Sequence, residues 1–594
     1  MAKVLERKKV NDRYKWKVSH IVENDEVWNE KFQAIVAEFQ ILPTYKGKLG
    51  DDATLLEFLK KQDELTIELI KLYLYAHMNS DADTRDDNYQ QMQRRIQSAL
   101  VMISSSLSFV ETEICLRSEE QLLALSKQPE FSDYSYMLEK LAKDKKHVLS
   151  EEVEKVLADV GSFSGGFREA FSMFDNADVK FKKITIDGVE TEMSHGVYGY
   201  ALQSGDQATR QAAFESMFGA YKDHINTIAA LYGNHVKKDA FYAKTKKYDS
   251  CLSMALEQND VDPAAYENLI KTVDENCKYM HKYMAFRKKA LGVEKLNMWD
   301  LHTSIVKDVD IAVPYEKAYK MVKEALKPLG EEYQGLLTEA YENGWIDVCE
   351  TKGKRSGAYS TSTYGCHPFV LLNYQQTSHD IFTIAHELGH AMHSHYSQEN
   401  QPFSKSDYVI FVAEIASTVN EVLMLKYLIS KTKDVEMKKY LLSYYLDMFR
   451  TTLFRQTMFA EFELEAHKLA EADAPITANA LSEIYYNLNK KYYGKAVTHN
   501  DLIRYEWARI PHFYTSFYVY QYATGITAAI SIANNILKNG EKAFKGYKQF
   551  LSAGGSMPPI EILKLAGVDL TTEEPFKVAM KEFKDTLNEL IKIY

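Results

Sequence analysis

Glycine and proline are scarce in this 594-residue sequence, at 26 and 12 residues, about half their usual combined share. Few punctuating residues mean few turns, which excludes an architecture of many short strands and favours long helices. Cysteine is scarce too. The five cysteines (Cys115, Cys251, Cys277, Cys349 and Cys366) are odd in number, far apart and without a C-x-x-C pair. That excludes a disulfide framework, argues against a cysteine-built zinc site, and points to reduced thiols in a reducing compartment. Basic excess is absent. The net charge is −11, so a nucleic-acid partner is not expected, because phosphate contacts need clustered Lys and Arg. No uninterrupted apolar run approaches the ~20 residues of a spanning helix, and the opening MAKVLERKKVNDRYKWKV has no apolar core of a secretory signal. A cytoplasmic location, no membrane association and no obligate protein partner are the expectations.

What is present is ordinary in amount, with 46% apolar and 26% charged residues, values typical of a globular chain. Length alone suggests roughly three or four domains. The first ~180 residues read as successive amphipathic helices, as in DATLLEFLKKQDELTIELIKLYLYAHMN. KITIDGVETEMS (183–194) carries β-branched alternation on both sides of Asp187-Gly188, a hairpin signal. It is a candidate seam between a helical amino-terminal region, 1–182, and a second region, 183–594. Helical periodicity then runs to about residue 342. Loop composition follows at 351–368, the best strand candidate at 369–374, and helices to the end. The expected class is mostly α, with a small β element beside the helix that follows it.

That helix, TSHDIFTIAHELGHAMHSHYS, opens on a capping-box pattern, Thr377 and Asp380. At 100° per residue Ile381, Ile384, Leu388, Ala391 and Met392 share one side, while His386, His390 and His393 share the other. His386 and His390 stand one turn apart, so both rings can reach one ion at about 2.0–2.1 Å. Glu387 sits beside that face, where its carboxylate can touch a metal-bound water. The pattern predicts one Zn2+ per chain.

Catalytic zinc keeps three protein ligands and one open position. The segment SKSDYVIFVAEIASTVNEVLMLKYLISK opens on a second capping pattern, Ser404 and Asp407, and reads as a long helix. Glu414 and Glu421 lie seven residues apart on one of its faces, and carboxylates in an apolar body demand a partner. Antiparallel packing brings Glu414 level with His386 and His390 at 1.5 Å per residue, so Glu414 is the expected third ligand. His393 is the rival, although three ligands on one straight helix strain tetrahedral geometry. Glu421 is either a carboxylate orienting a ligand histidine or one member of a structural ion pair.

HELGH followed by FVAEIASTVNEV, with its Glu 24 residues after the second His, resembles the thimet-oligopeptidase-like zinc metallopeptidases, in particular the oligoendopeptidase F branch. KRSGAYS (354–360), PFVLLNY (368–374) and the 510–525 segment IPHFYTSFYVYQYATG extend the likeness to about two thirds of the chain. The resemblance implies a mostly helical body around a deep substrate channel, with zinc at its floor and short unstructured oligopeptides as substrates. It also implies that His512 and Tyr520 serve the reaction, with Tyr514 as the next candidate, in substrate binding. Gly357 and Tyr359 of the 354–360 loop are the matching substrate-binding candidates.

The expected chemistry is metal-assisted hydrolysis of internal peptide bonds. The metal lowers the pKa of its water and polarises the scissile carbonyl, and Glu387 takes and returns the proton. His512 and Tyr520 stabilise the oxyanion. The 369–374 strand either offers an edge to an extended peptide or closes a small sheet, and the loop at 352–365 suits a mobile cover or an uninvolved surface. Lys354 and Arg355 keep open an exopeptidase that reserves a charge for a free terminus. A silent peptide-binding scaffold is the third reading.

Overall fold

The structure is a computed structural model that describes residues 4–306 and 312–594. Residues 1–3, which open the stretch read for a secretory signal, lie outside the described residues. Helices account for 73% of residues and strands for 3%, so the class is mostly α. The long helix Asp52–Ala82 shows why. Asp51 caps it by accepting from the Thr54 amide, and Leu55, Phe58, Leu59, Leu65, Leu69 and Leu72 form one buried stripe, the three- and four-residue spacing of an amphipathic helix. The hairpin forms at Asp187-Gly188: Ile184–Ile186 pairs antiparallel with Val189–Thr191. Both turn residues have positive φ, 52° and 80°, as a two-residue hairpin turn of this type needs. No single helix among the described residues is long and apolar enough to cross a membrane.

The chain packs as two compact units. One comprises Met1–Lys146, Asp310–Tyr427 and Ile532–Val568; the other comprises His147–Val309, Leu428–Ser531 and Asp569–Tyr594. This interleaved division differs from consecutive regions split at 182/183, and from three or four domains. The cause is visible in the first unit's core, where Phe369 and Leu371 are buried with Trp28, Leu42, Leu69 and Leu72. Periodicity reveals that a helix has an apolar face but not which distant segment covers it.

Within the first unit a three-stranded sheet lies beside the candidate site. Ile346–Asp347 runs parallel to Phe369–Leu371, which pairs antiparallel with Tyr359–Thr361 in the register Tyr359↔Leu371. Phe369–Leu371 is therefore the central strand, and all three of its residues are buried. Of the two readings of this strand, it closes a small sheet and offers no edge; Ile346–Asp347 and Tyr359–Thr361 are the edge strands.

Candidate metal centre and active site

Two helices of the first unit build the centre. The histidine helix, Ser378–Asn400, opens on the capping box read from the sequence: Thr377 accepts from the Asp380 amide and Asp380 from the Thr377 amide. Its buried side carries Ile381, Ile384, Leu388, Ala391 and Met392. The glutamate helix, Ile410–Lys431, begins later than its pattern suggests. Phe403–Ser406 is a separate short turn, and the Ser404 hydroxyl donates to the Asp133 carbonyl instead of capping.

The pairings between the two helices fix their direction. Ala385 meets Asn420 and Gly389 meets Ser417, and Ser394 meets Tyr408 just ahead of the glutamate helix, so one index rises as the other falls and the helices are antiparallel. A Cβ on Gly389 would stand 2.5 Å from Ser417 Cα and 2.6 Å from the Ala416 carbonyl oxygen. Only glycine permits this approach. The buried Asn420 side chain ties the pair together, donating to the Ala385 carbonyl at 3.0 Å and meeting the Tyr333 hydroxyl.

That close approach sets three donors in a triangle. His386 Nε2 and His390 Nε2 are 3.2 Å apart, and each is 3.5 Å from Glu414 Oε2. Tetrahedral donors at ~2.1 Å from a common ion stand about 3.4 Å from one another, so the triangle fits one metal ion. Among the described residues this is the one group of three such donors that could hold a metal. Two imidazoles and a carboxylate suit zinc in its catalytic form, with a fourth position left open. Glu421 Oε1 lies 2.5 Å from His386 Nδ1, the outer hydrogen bond that fixes a ligand histidine's tautomer and ring. A hydrogen bond from His390 holds the Glu414 carboxyl below its usual range, with the charges of both histidines adding to it.

His393 does not join the triangle. Its ring is buried, stacked 3.8 Å from Tyr408 and 5.2 Å from Phe550. Burial, aided by His390, lowers its pKa to about 3, so it is a neutral packing group. Glu387 is 7% exposed. Burial pushes its carboxyl up, against the pull of His386 and His390.

Glu387 and His386 open onto a cleft of about 570 Å³, lined also by Gly357, Ala358, Asn373 and Thr383. Gly357 has φ 89°, and Asn373 fixes this wall by donating to the carbonyls of Arg355 and Gly357. Tyr359 is not on the cleft: its hydroxyl donates to Asp81 at 2.9 Å and its ring faces Trp16 and His77. Lys354 is taken as well, since its ammonium is fully buried, 2.7 Å from Asp347 Oδ1 and donating to the carbonyls of Cys349 and Leu372. It is unavailable to a peptide terminus. The loop is anchored: the Thr84 amide donates to the Gly353 carbonyl and the Arg355 amide to that of Asp81.

His512, Tyr514 and Tyr520 belong to the second unit. Tyr514 is buried with its ring stacked 4.5 Å from Phe171, and Tyr520 is 1% exposed against Tyr266. His512 is exposed, and the half-buried Tyr518 and Tyr522 stand beside it, with ring centroids 6.1 Å from its own. Sequence reasoning missed these two tyrosines, Asn373 and Asn420. A lone Asn within an apolar helix body was a usable signal for Asn420; nothing local marks the others.

Comparison with known proteins gives this geometry its context. The family model described as Peptidase family M3 matches residues 200–582, and one described as Oligopeptidase F matches residues 113–181. Oligopeptidase PepF of Bacillus subtilis is 41% identical over 98% of this chain and 88% of its own length. An oligoendopeptidase F homolog of Lactococcus lactis is 37% identical over 99% and 98%. Among solved structures, oligoendopeptidase-F from Enterococcus faecium superposes with a TM-score of 0.73 at 34% identity over 96% of this chain and 99% of that one. A protein from Chlamydophila abortus reaches 0.95 at 33% identity over 100% of both chains. On this sequence similarity along nearly its whole length, the chain belongs to peptidase family M3, as a metallo-oligopeptidase of the oligopeptidase F type.

Proposed function

We propose that this enzyme is a zinc-dependent endopeptidase that hydrolyses internal bonds of short, unstructured peptides. The donor triangle supports it most directly, because separations of 3.2, 3.5 and 3.5 Å match tetrahedral spacing around one small ion. His386, His390 and Glu414 are the ligands in this reading. A zinc ion held there supplies Lewis-acid polarisation and a water of lowered pKa. Glu387 takes the proton of the attacking water and returns it to the leaving amine. Glu421 keeps His386 Nδ1 occupied, so that Nε2 presents its lone pair to the triangle.

Substrate is held by main-chain contacts in this reading. Gly357 and Ala358 lie on the same cleft as Glu387, and backbone there can pair with an extended peptide of many sequences. A cleft of about 570 Å³ takes a few residues of extended chain rather than a folded surface. The names of the curated relatives, oligopeptidase and oligoendopeptidase, agree with short substrates and internal cleavage. His512 is a proposed hydrogen-bond donor to the reacting peptide. Tyr518 and Tyr522 are better placed as its companions than Tyr514 and Tyr520, whose rings are buried. The buried Lys354 weakens the exopeptidase reading.

The test is mass spectrometry of products from a peptide about ten residues long with both ends blocked. Internal cleavage that stops with a chelator and returns with zinc is expected. No cleavage of the blocked peptide, or cleavage indifferent to chelation, refutes the reading. The same segment inside a folded domain should be cut far more slowly, because unfolding costs about 5–15 kcal/mol.

A further inference from the structure

Residues 513–519 of the second unit join His512 to the helix Tyr520–Asn539, and they are held in an unusual way. Phe517 has φ +56°, a left-handed conformation that bulky residues adopt only where the surroundings over-determine it. Two helices supply those surroundings. From Arg455–Glu471, Glu463 Oε1 accepts the Phe517 amide at 3.0 Å, and the His467 ring packs 4.4 Å from the Phe517 ring. From Ile225–Thr245, Asp239 Oδ2 accepts the Ser516 hydroxyl at 2.5 Å and His235 Nε2 meets Ser516 Oγ at 3.0 Å. Lys238 and His467 complete the network, at 3.0 and 3.2 Å from Asp239.

Nothing in the chemistry described above uses these groups, and they are costly. Glu463 is fully buried and its Oε2 has no hydrogen-bond partner. Burial drives its carboxyl far above the usual range, which favours the neutral acid over the carboxylate. What the arrangement achieves is a sorting of the segment. Tyr514, Phe517 and Tyr520 turn inward, while His512, Tyr518 and Tyr522 gather outside with ring centroids 5.5–6.1 Å apart.

We propose that Glu463 and Asp239 are positioning residues, which lock residues 516 and 517 in a strained turn so that His512, Tyr518 and Tyr522 are held on the outside of the segment as one preorganised cluster. The proposal rests on the reading that His512 serves the reaction, and it adds the device that holds it.

Ser516→Ala, Glu463→Leu, Glu463→Gln and His512→Ala, made in the full-length chain, test it with a quenched peptide. Ser516→Ala and Glu463→Leu should lower kcat tenfold or more with KM within threefold and zinc content unchanged. Glu463→Gln retains a neutral acceptor of the same shape and should restore most of the turnover lost in Glu463→Leu, which a carboxylate needed for its charge would not allow. Adding Ser516→Ala to His512→Ala should cost less than threefold further. A defective His512→Ala beside a normal Ser516→Ala overturns the positioning proposal alone. A normal His512→Ala removes the role of His512 and the proposal with it, while the metal reading stands or falls separately on Glu414→Ala. Ser516 is only half-buried, so its variant reads the proposal even where Glu463→Leu does not fold.

Discussion

Gly389→Ala tests whether the approach of the two helices sets the metal centre. The added Cβ would meet Ser417 Cα at 2.5 Å, the Ala416 carbonyl oxygen at 2.6 Å and the Ser417 amide nitrogen at 2.7 Å. Ordinary carbon contacts lie at about 3.5–4.0 Å, so the helices must part by about 1 Å at this level. All three contacts are backbone and cannot rotate away. Overpacking of this kind costs about 1–3 kcal/mol, and replacing a mid-helix glycine regains about 1 kcal/mol. The net loss of stability is therefore modest, about 0–2 kcal/mol.

The loss of function should be out of proportion. Ligand distances tolerate about 0.2 Å, and Glu414 reaches the histidines from the helix that is pushed away. We expect zinc affinity, read by chelator competition, to fall at least tenfold, and peptide turnover to fall about 100-fold, the scale of a 1 Å misplacement. Gly335→Ala is the control: it lies mid-helix in the same unit with nothing within 4 Å of the added Cβ, and should be neutral or slightly stabilising. Wild-type zinc affinity and turnover in Gly389→Ala, at an unchanged melting temperature, would refute the reasoning.

Glu387→Gln should keep zinc and bind peptide but lose turnover by about three orders of magnitude or more, since only the base is removed; activity within tenfold of wild type rules the base out. Elemental analysis should find zinc lost from Glu414→Ala and retained in His393→Ala, and the opposite result would exchange their roles. Lys354→Met leaves the buried Asp347 with Arg7 as its remaining ion-pair partner at 2.7 Å, and breaking such a pair costs about 3–5 kcal/mol; a denaturation midpoint like wild type would contradict this. Burial raises the Asp347 carboxyl, but Lys354 and Arg7 bring it below its usual value. Its contribution is thus present above about pH 3.9 and fades as pH falls through the lower folded value. Acid titration of stability in Lys354→Met should show that dependence reduced.

The features legible in the sequence are those written locally. The Thr377 and Asp380 box, the four-residue step between the histidines and the Asp187-Gly188 turn each depend on neighbours within one or two turns of chain. Glu414 was within reach because a carboxylate in an apolar helix asks for a partner and the connection to the histidine helix is short. The same local logic misplaced the start of the glutamate helix, because Ser404 bonds the Asp133 carbonyl, a partner far away in sequence. It left the strand at 369–374 open as a substrate edge because composition marks a strand but not its neighbours in the sheet. It could not sort Tyr514 and Tyr520 from Tyr518 and Tyr522, since the left-handed turn at Phe517 breaks the alternation that would have predicted their directions. Interleaved packing of distant segments leaves no local trace.

The cover on the far side of the histidine helix has a consequence for the order of synthesis. Phe550 packs on the His393 ring, the Ser552 carbonyl accepts from Gln401, 151 residues earlier, and the Gly555 amide donates to the Lys405 carbonyl. While a ribosome is still making residues 428–531, the histidine and glutamate helices exist but the side of the histidine helix at His393 and Gln401 still lacks this cover. Secondary structure forms far faster than translation proceeds, whereas burial of that face waits for the segment 532–568. The nascent chain therefore carries this helix pair without its cover throughout that interval, and the contacts of Phe550, Ser552 and Gly555 close late.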